Sequence, residues 1–179
     1  MISTKLIAGS IFPSITLPTM TGKEITLSKP EGAQHDWRLV VVYRGKHCPL
    51  CTRYLLALNE LLPEFNSLGI DVVAISGDTL EKANIHLKEL NLNFEVGYGL
   101  KIEQMQALGL YISHPRSQAE TDVAFAEPGL FVINEEGEVQ IATVSNAPSV
   151  RPELAVLAKG LAFVRNPENN YPIRGTYTS

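Results

Sequence analysis

The 179-residue sequence predicts one α/β domain in which a mixed central sheet is flanked by helices. Buried-strand patterns alternate with helical patterns along the first two thirds of the chain, which is typical of parallel strands joined by helices. A strand–turn–strand pattern at residues 130–144 adds antiparallel strands. The length is typical of one domain, and no repeat or low-complexity linker divides the chain.

The first half of the chain predicts a hairpin, a buried strand and a helix. Residues 15–17 and 24–27 flank a turn and form the N-terminal β-hairpin. Residues 38–43 are a largely apolar run, which is typical of a strand buried on both faces. Apolar residues at three- and four-residue steps predict a helix over 50–68, in which Pro63 should cause a kink or a break near Leu62.

The second half of the chain is predicted from the same two periodicities. Asp78 and Glu81 have the capping-box spacing, and the helix that they begin should run to about residue 90. The other predicted elements are strands at 70–76 and 94–97, a helix at 101–108, a hairpin of strands at 130–133 and 139–144, and a helix at 152–164. We assign residues 1–166 to the domain and residues 167–179, which are polar and contain two prolines, to a C-terminal surface tail.

Composition and charge exclude several classes of protein. Apolar residues make up 45% of the chain and charged residues 19%, which is typical of a globular protein. A net charge of −4 argues against a protein that binds nucleic acid or an anionic membrane, because such proteins carry a basic surface. No apolar run has the length of a signal peptide core or a membrane span. We therefore expect a cytoplasmic protein, in which thiols stay reduced.

The two cysteines are the candidate catalytic residues. Cys48 and Cys51 lie where the predicted buried strand passes into the helix, in the sequence Arg-Gly-Lys-His-Cys-Pro-Leu-Cys. The positive end of the helix and the neighbouring cations, Arg44 and His47 among them, should lower a thiol pKa. Residues three apart share one helix face. We therefore expect Cys48 to be an exposed nucleophile and Cys51 to be the shielded resolving thiol.

Two other interpretations of the cysteine pair stay open. Cys-x-x-Cys spacing also occurs in zinc sites, although the four histidines of the chain do not form a usual second half of such a site. An unreactive buried pair is the other interpretation, and the charged neighbours argue against it. Thiol chemistry at the pair requires no metal, flavin or haem, so no cofactor is expected.

The cysteine motif and the later sequence Glu127-Pro128-Gly-Leu-Phe-Val-Ile resemble the thioredoxin-fold superfamily. Within it the chain resembles the alkyl hydroperoxide reductase/thiol-specific antioxidant family, in particular peroxiredoxin-like proteins with an Arg-Gly-x-x-Cys-Pro-x-Cys motif. The resemblance implies a thioredoxin-like fold and a thiol oxidoreductase, either a disulfide oxidoreductase or a thiol-dependent peroxidase. It also implies a hydroperoxide or a disulfide as substrate, an external thiol as reductant, and a homodimer. Pro128 matches the cis-proline that faces the cysteines of thioredoxin folds.

The chain departs from the family pattern at several positions. Peroxiredoxins usually have Pro and Thr or Ser seven and three residues before the reactive cysteine, where this chain has Val41 and Gly45. The usual downstream arginine has Arg116 and Arg151 as candidates. The buried Asp that thioredoxins carry on the preceding strand is absent. A non-catalytic binding or scaffold protein is therefore the contrasting interpretation, since a fold does not by itself imply an activity.

Overall fold

The computed structural model describes residues 3–179 and confirms an α/β fold with a five-stranded mixed sheet. The sheet consists of β3 (Trp37–Val42), β4 (Ile70–Ile75), β5 (Glu95–Gly97), β8 (Gly129–Ile133) and β9 (Val139–Val144). Its strand order is β5-β4-β3-β8-β9. The β3, β4 and β5 strands are parallel, whereas β8 is antiparallel to β3 and to β9. The predicted strands therefore form one sheet with both kinds of pairing.

Two small antiparallel pairs and four helices surround the sheet. The pairs are the predicted N-terminal hairpin, β1 (Thr16–Pro18) with β2 (Glu24–Thr26), and β6 (Ile112–Ser113) with β7 (Phe125–Ala126). The helices are α1 (Pro49–Ser67), α2 (Leu80–Leu87), α3 (Ile102–Ala107) and α4 (Leu154–Arg165), followed by a 3₁₀ turn at Pro167–Asn169. Within residues 3–179, no helix has the length and apolar character needed to cross a membrane.

The central strand β3 is buried along its whole length because apolar layers cover both faces of the sheet. Leu39 and Val41 belong to the cluster that includes the apolar faces of α1 and α4. Val40 and Val42 point to the opposite face and join a cluster with α3 and the N-terminal segment. This alternation follows from the two-residue period of a strand. The carboxyl end of β3, which leads to the cysteines, is therefore held from both sides.

The long helix α1 is continuous, so the expected break near Leu62 is wrong. Pro63 lies inside the helix, which runs on to Ser67. A proline inside a helix costs roughly 3 kcal/mol. Burial of an apolar side chain contributes roughly 1.5–3 kcal/mol. Leu58, Leu62 and Phe65 are all buried on the inner face, so their burial offsets the cost of the proline.

The helix α2 differs from the sequence prediction at both ends. Its N-cap is Thr79, whose hydroxyl accepts the Lys82 N–H at 3.3 Å, and it ends at Leu87 rather than near residue 90. The expected capping role of Asp78 is therefore wrong. The Asp78 carboxylate instead accepts the backbone N–H of Lys46 at 2.8 Å, since the segment before α1 passes directly beside it.

The chain after α4 lies on the surface. Residues 167–179 are exposed apart from one partly buried residue, and Tyr171 packs edge-on against Phe163 of α4 with ring centroids 5.7 Å apart. The division of the chain at residue 166 stays a prediction.

Arg38 is a buried charge in the middle of the sheet, and it generates a stability prediction. It is 1% exposed, and its Nη2 lies 2.6 Å from Asp71 Oδ2 on β4. Removing one partner of a buried ion pair leaves the other charge uncompensated. We expect Asp71→Ala to lower the free energy of unfolding by about 3 kcal/mol, measured by urea denaturation.

The control for this prediction is Lys23→Met, which removes an exposed ion pair with Glu31. Exposed pairs contribute little to stability, so its unfolding midpoint should match that of the unsubstituted protein. An Asp71→Ala protein as stable as this control would contradict the importance of the buried pair.

Candidate active site

The turn between β3 and α1 is shaped by a close contact between Gly45 and Asp78. Gly45 has φ +137°, a conformation that L side chains rarely adopt. A Cβ at this position would lie 2.5 Å from Asp78 Oδ1. The Asp78 carboxylate also accepts the backbone N–H of Lys46 and so holds the turn in place. Only a residue without a side chain, such as Gly45, can pass this close to that carboxylate. This contact positions Cys48 at the start of α1.

The two thiols are free and lie together within the first turn of α1. Cys48 is the N-cap residue, and its Sγ accepts the backbone N–H of Cys51 at 3.3 Å. Cys48 is 2% exposed and Cys51 is 0% exposed. The expectation that Cys48 is exposed is therefore wrong, because its side chain packs into the apolar cluster that covers this face of the sheet. A reactant must be small, or the surroundings must move, to reach either sulfur.

Arg44 lies beside Cys48 and is held there by a buried carboxylate. Its positive charge lowers the pKa of the Cys48 thiol, and its guanidinium packs over the Phe125 ring at 4.8 Å. Its Nε lies 3.1 Å from Glu127 Oε2, and Glu127 is 3% exposed. The other oxygen of Glu127 accepts the Ser113 hydroxyl at 2.7 Å. No role for the Glu127 side chain could be predicted from the sequence, because no spacing rule connects it with Arg44.

The pKa values of the two thiols move in opposite directions. The thiol of Cys51 donates to Cys48 and, with the Cys51 N–H and the Arg44 guanidinium, lowers the pKa of Cys48 against the opposing effect of burial. The same hydrogen bond between the thiols, together with burial, raises the pKa of Cys51. Cys48 is therefore the thiolate of the pair, and Cys51 is the protonated thiol that stabilises it.

Arg151, in the segment before α4, reaches the sulfur of Cys51. Its Nη2 donates to Cys51 Sγ at 2.8 Å, and the backbone N–H of Arg44 donates to the same sulfur at 3.4 Å. Its guanidinium packs over the Tyr54 ring at 4.9 Å, while its Nε and Nη1 are buried without a hydrogen-bond partner. Of the two candidate arginines, Arg151 is thus at the site. The side chain of Arg116 is 86% exposed.

His47 directs its ring to Phe125 rather than into the thiol pair. The two rings pack edge-on with centroids 4.4 Å apart, and His47 Nε2 is buried without a partner. Burial, followed by the charge of Arg44, lowers the pKa of His47. A neutral ring cannot supply the positive charge that the sequence analysis expected of this residue.

Pro128 follows a trans peptide bond, so the cis expectation is wrong: residues 3–179 contain no cis peptide. Trans is the intrinsically favoured form of such a bond. The chain here runs straight from β7 into β8, with the Glu127 N–H bonded to Tyr111 O and the Pro128 carbonyl bonded to the Ser145 N–H. Pro128 nevertheless lies near the site, since it lines a small cavity together with Tyr54 and Arg151.

A zinc site would need ligands besides the two cysteines. Within the described part of the chain, no three or more His, Cys, Asp or Glu side chains are grouped so that they could hold a metal ion. His86 Nε2 instead forms a hydrogen bond with the Thr52 hydroxyl at 2.7 Å. The structure therefore offers no ligand set for the zinc interpretation.

Comparison with known proteins agrees with this geometry. The model of the AhpC/TSA family matches residues 8–142. A putative peroxiredoxin of Mycobacterium tuberculosis is 27% identical over 140 residues, which cover 78% of this chain and 86% of that protein. Peroxiredoxin Bcp of Escherichia coli is 33% identical over 87 residues, which cover 49% of this chain and 54% of that protein.

Solved structures show the same fold. AhpC of Mycobacterium bovis superimposes with a TM-score of 0.73 at 17% identity, covering 98% of this chain and 100% of that one. A peroxiredoxin-like protein from Aquifex aeolicus superimposes with a TM-score of 0.73 at 17% identity, covering 90% of this chain and 89% of that one. The fold is therefore that of the peroxiredoxins.

The position of Arg44 generates a prediction about the Cys48 thiol. In the unsubstituted protein the lowered pKa keeps the thiolate at a pH well below ~8.5, the value of a free cysteine. Arg44→Met removes the nearby positive charge and should raise the Cys48 pKa by about one unit. The measurement is the thiolate absorbance near 240 nm against pH, with the signal of Cys48→Ser subtracted.

The control for the titration is Arg116→Met, which removes an equal charge from an exposed position. This variant should titrate as the unsubstituted protein does. A Cys48 midpoint near ~8.5 before any substitution would refute the electrostatic description of the site.

Proposed function

Because this chain belongs to the AhpC/TSA family and is a peroxiredoxin-like thiol oxidoreductase, we propose that it reduces small hydroperoxides at the expense of an external thiol. Cys48 is the attacking thiolate in this proposal, and Cys51 is the resolving thiol. The observation that carries it is the burial of a pair whose Cys48 pKa is lowered. A small peroxide can enter such a site, whereas a disulfide on a folded protein cannot reach it directly.

In the first step, the Cys48 thiolate attacks one oxygen of the hydroperoxide. The O–O bond breaks, the sulfur becomes a sulfenic acid, and the leaving oxygen takes a proton from solution to give the alcohol or water. Negative charge develops on that leaving oxygen. The unpartnered Nε and Nη1 of Arg151 are suitable donors for it, in place of the hydroxyl group that is missing from this chain.

In the second step, the Cys51 sulfur attacks the Cys48 sulfenic acid, and water leaves as the disulfide forms. Cys51 must lose its proton for this attack, and its pKa is raised in the resting site. The Arg151 guanidinium and the Arg44 N–H donate to its sulfur and stabilise the thiolate as it forms. Two external thiols then return the pair to the reduced state and leave as a disulfide.

A thiol–disulfide oxidoreductase is the second candidate, and the opposite pKa shifts of the two thiols favour it. A thiolate followed one turn later by a protonated thiol is also the arrangement that attacks a substrate disulfide and then releases the mixed disulfide. Both candidates end in the same Cys48–Cys51 bond. They differ in the oxidant, so the oxidant is the quantity to test.

Location and assembly are proposals as well. A chain with only two cysteines, both in one reactive motif, supports the cytoplasm, where such pairs stay reduced. For the homodimer, the outer edge of β9 beyond Val139 is the surface on which a second copy can pair, since the N-terminal segment forms backbone hydrogen bonds with Val139 itself.

The proposed roles predict different products from the two single-cysteine variants. With one equivalent of peroxide, Cys51→Ser should form a sulfenic acid at Cys48, detected by mass spectrometry as a dimedone adduct. Cys48→Ser should lose peroxide reactivity by about 10³-fold or more, since the attacking group is gone. The unsubstituted protein should form the Cys48–Cys51 disulfide.

Two results would contradict this assignment. A dimedone adduct on Cys51 of the Cys48→Ser protein, formed as fast as the disulfide of the unsubstituted protein, would reverse the roles of the thiols. Oxidation of the pair by a small disulfide but not by peroxide would replace the peroxidase with the second candidate.

A further inference from the structure

The segment 114–124 between β6 and β7 has no fully buried residue, although the side chain of Glu120 is only 9% exposed. It contains neither helix nor strand, and all of its residues are exposed or only partly buried. The two strands that flank it are two residues long and pair only with each other. Segments with few buried contacts are those that open at the lowest free-energy cost.

This segment faces the turn that carries Cys48. A cavity of about 240 Å³ lies between them, with Lys46 and His47 on one side and residues 118–122 on the other. Glu120 Oε1 lies 4.0 Å from Arg44 Nη2, and Arg44 is the residue whose positive charge lowers the pKa of Cys48. The segment therefore closes the side of the active site on which Arg44 lies.

The contacts that hold the segment closed are ionic and polar. Lys82 of α2 forms an ion pair with Asp122 and a hydrogen bond with the Thr121 hydroxyl at 3.3 Å. Glu120 makes the contact with Arg44, and within the segment it pairs with Arg116 at 3.1 Å. The Asp122 side chain is 67% exposed, so its pair with Lys82 contributes little to stability and is screened by salt, whereas the Glu120 side chain is only 9% exposed. The Lys82–Asp122 contact is therefore the one most easily disrupted.

We propose that segment 114–124 is a lid, latched by the Lys82–Asp122 pair, that determines which thiols can reduce the Cys48–Cys51 disulfide. This proposal rests on the proposed redox cycle. Both sulfurs are buried and the segment covers the turn before Cys48, so the large surface of a protein dithiol meets the closed segment, whereas a small peroxide or a small thiol is obstructed less. A protein dithiol therefore needs the lid open, whereas the oxidation step does not.

The reduction step that the lid controls is a thiol–disulfide exchange. One thiolate of the protein dithiol attacks the Cys48–Cys51 disulfide and forms a mixed disulfide. The second thiol of the same reductant then releases it, so that the reductant leaves oxidised. Both cysteines of the site recover their electrons from the dithiol and their protons from the reductant and solution.

The test compares Asp122→Asn with Glu31→Gln. Asp122→Asn removes the charge of the latch without changing its shape, and Glu31→Gln removes the equivalent exposed pair with Lys23 elsewhere on the surface. Each protein is oxidised by one equivalent of peroxide and then reduced by thioredoxin or by dithiothreitol in a stopped-flow instrument. The rates are measured at low salt and at high salt.

We expect Asp122→Asn to speed reduction by thioredoxin about fivefold at low salt and to remove most of its salt dependence, because the latch is already broken. Its rates with dithiothreitol and with peroxide should stay within about twofold of the control. Glu31→Gln should behave as the unsubstituted protein does in every measurement.

Two results would overturn the lid. One is an equal thioredoxin rate in Asp122→Asn and in the control. The other is that dithiothreitol reduces the Cys48–Cys51 disulfide of both variants, whereas thioredoxin reduces it in neither. Failure of the proposed function looks different, since the unsubstituted protein would then form no Cys48–Cys51 disulfide with peroxide.

Discussion

The chemistry of this protein depends on the contacts between Cys48 and Cys51. The backbone N–H of Cys51 donates to the Cys48 sulfur at 3.3 Å at the start of α1, and the interaction with the Cys51 thiol also lowers the Cys48 pKa. They make the two cysteines unequal, because the acceptor is stabilised as a thiolate and the donor keeps its proton. This arrangement of the two thiols requires a helix N-terminus and a three-residue spacing, and the helix is held in place by its packing against the sheet.

Each sulfur also has an arginine of its own, and the two arginines come from different parts of the fold. Arg44 follows β3 and is held against Cys48 by the buried carboxylate of Glu127, which precedes β8. Arg151 precedes α4 and donates to Cys51. Positive charge is therefore available wherever negative charge develops during the cycle.

Burial of both sulfurs is the main constraint on the chemistry of the site. With both sulfurs out of solvent, the hydrogen bonds and charges around them act in a medium of low polarity, where they are stronger than in water. The same burial keeps large reactants out. The surroundings of Cys48 therefore combine a rigid side, made by the sheet and α1, with a weakly held side made by segment 114–124.

The sequence by itself determined the fold class, the positions of nearly all strands and helices, and the pairing of Cys48 with Cys51, since these depend on local periodicity and short spacing. Predictions from the sequence failed where a contact with a distant residue replaced a local one. Asp78 contacts Lys46 instead of capping α2, and α1 continues past Pro63 because its leucines are buried. Only the tertiary structure decided that Cys48 is buried and that Glu127 and Arg151 join the site. Such contacts connect residues far apart in the chain, and no local pattern records which side chains the folded sheet brings together.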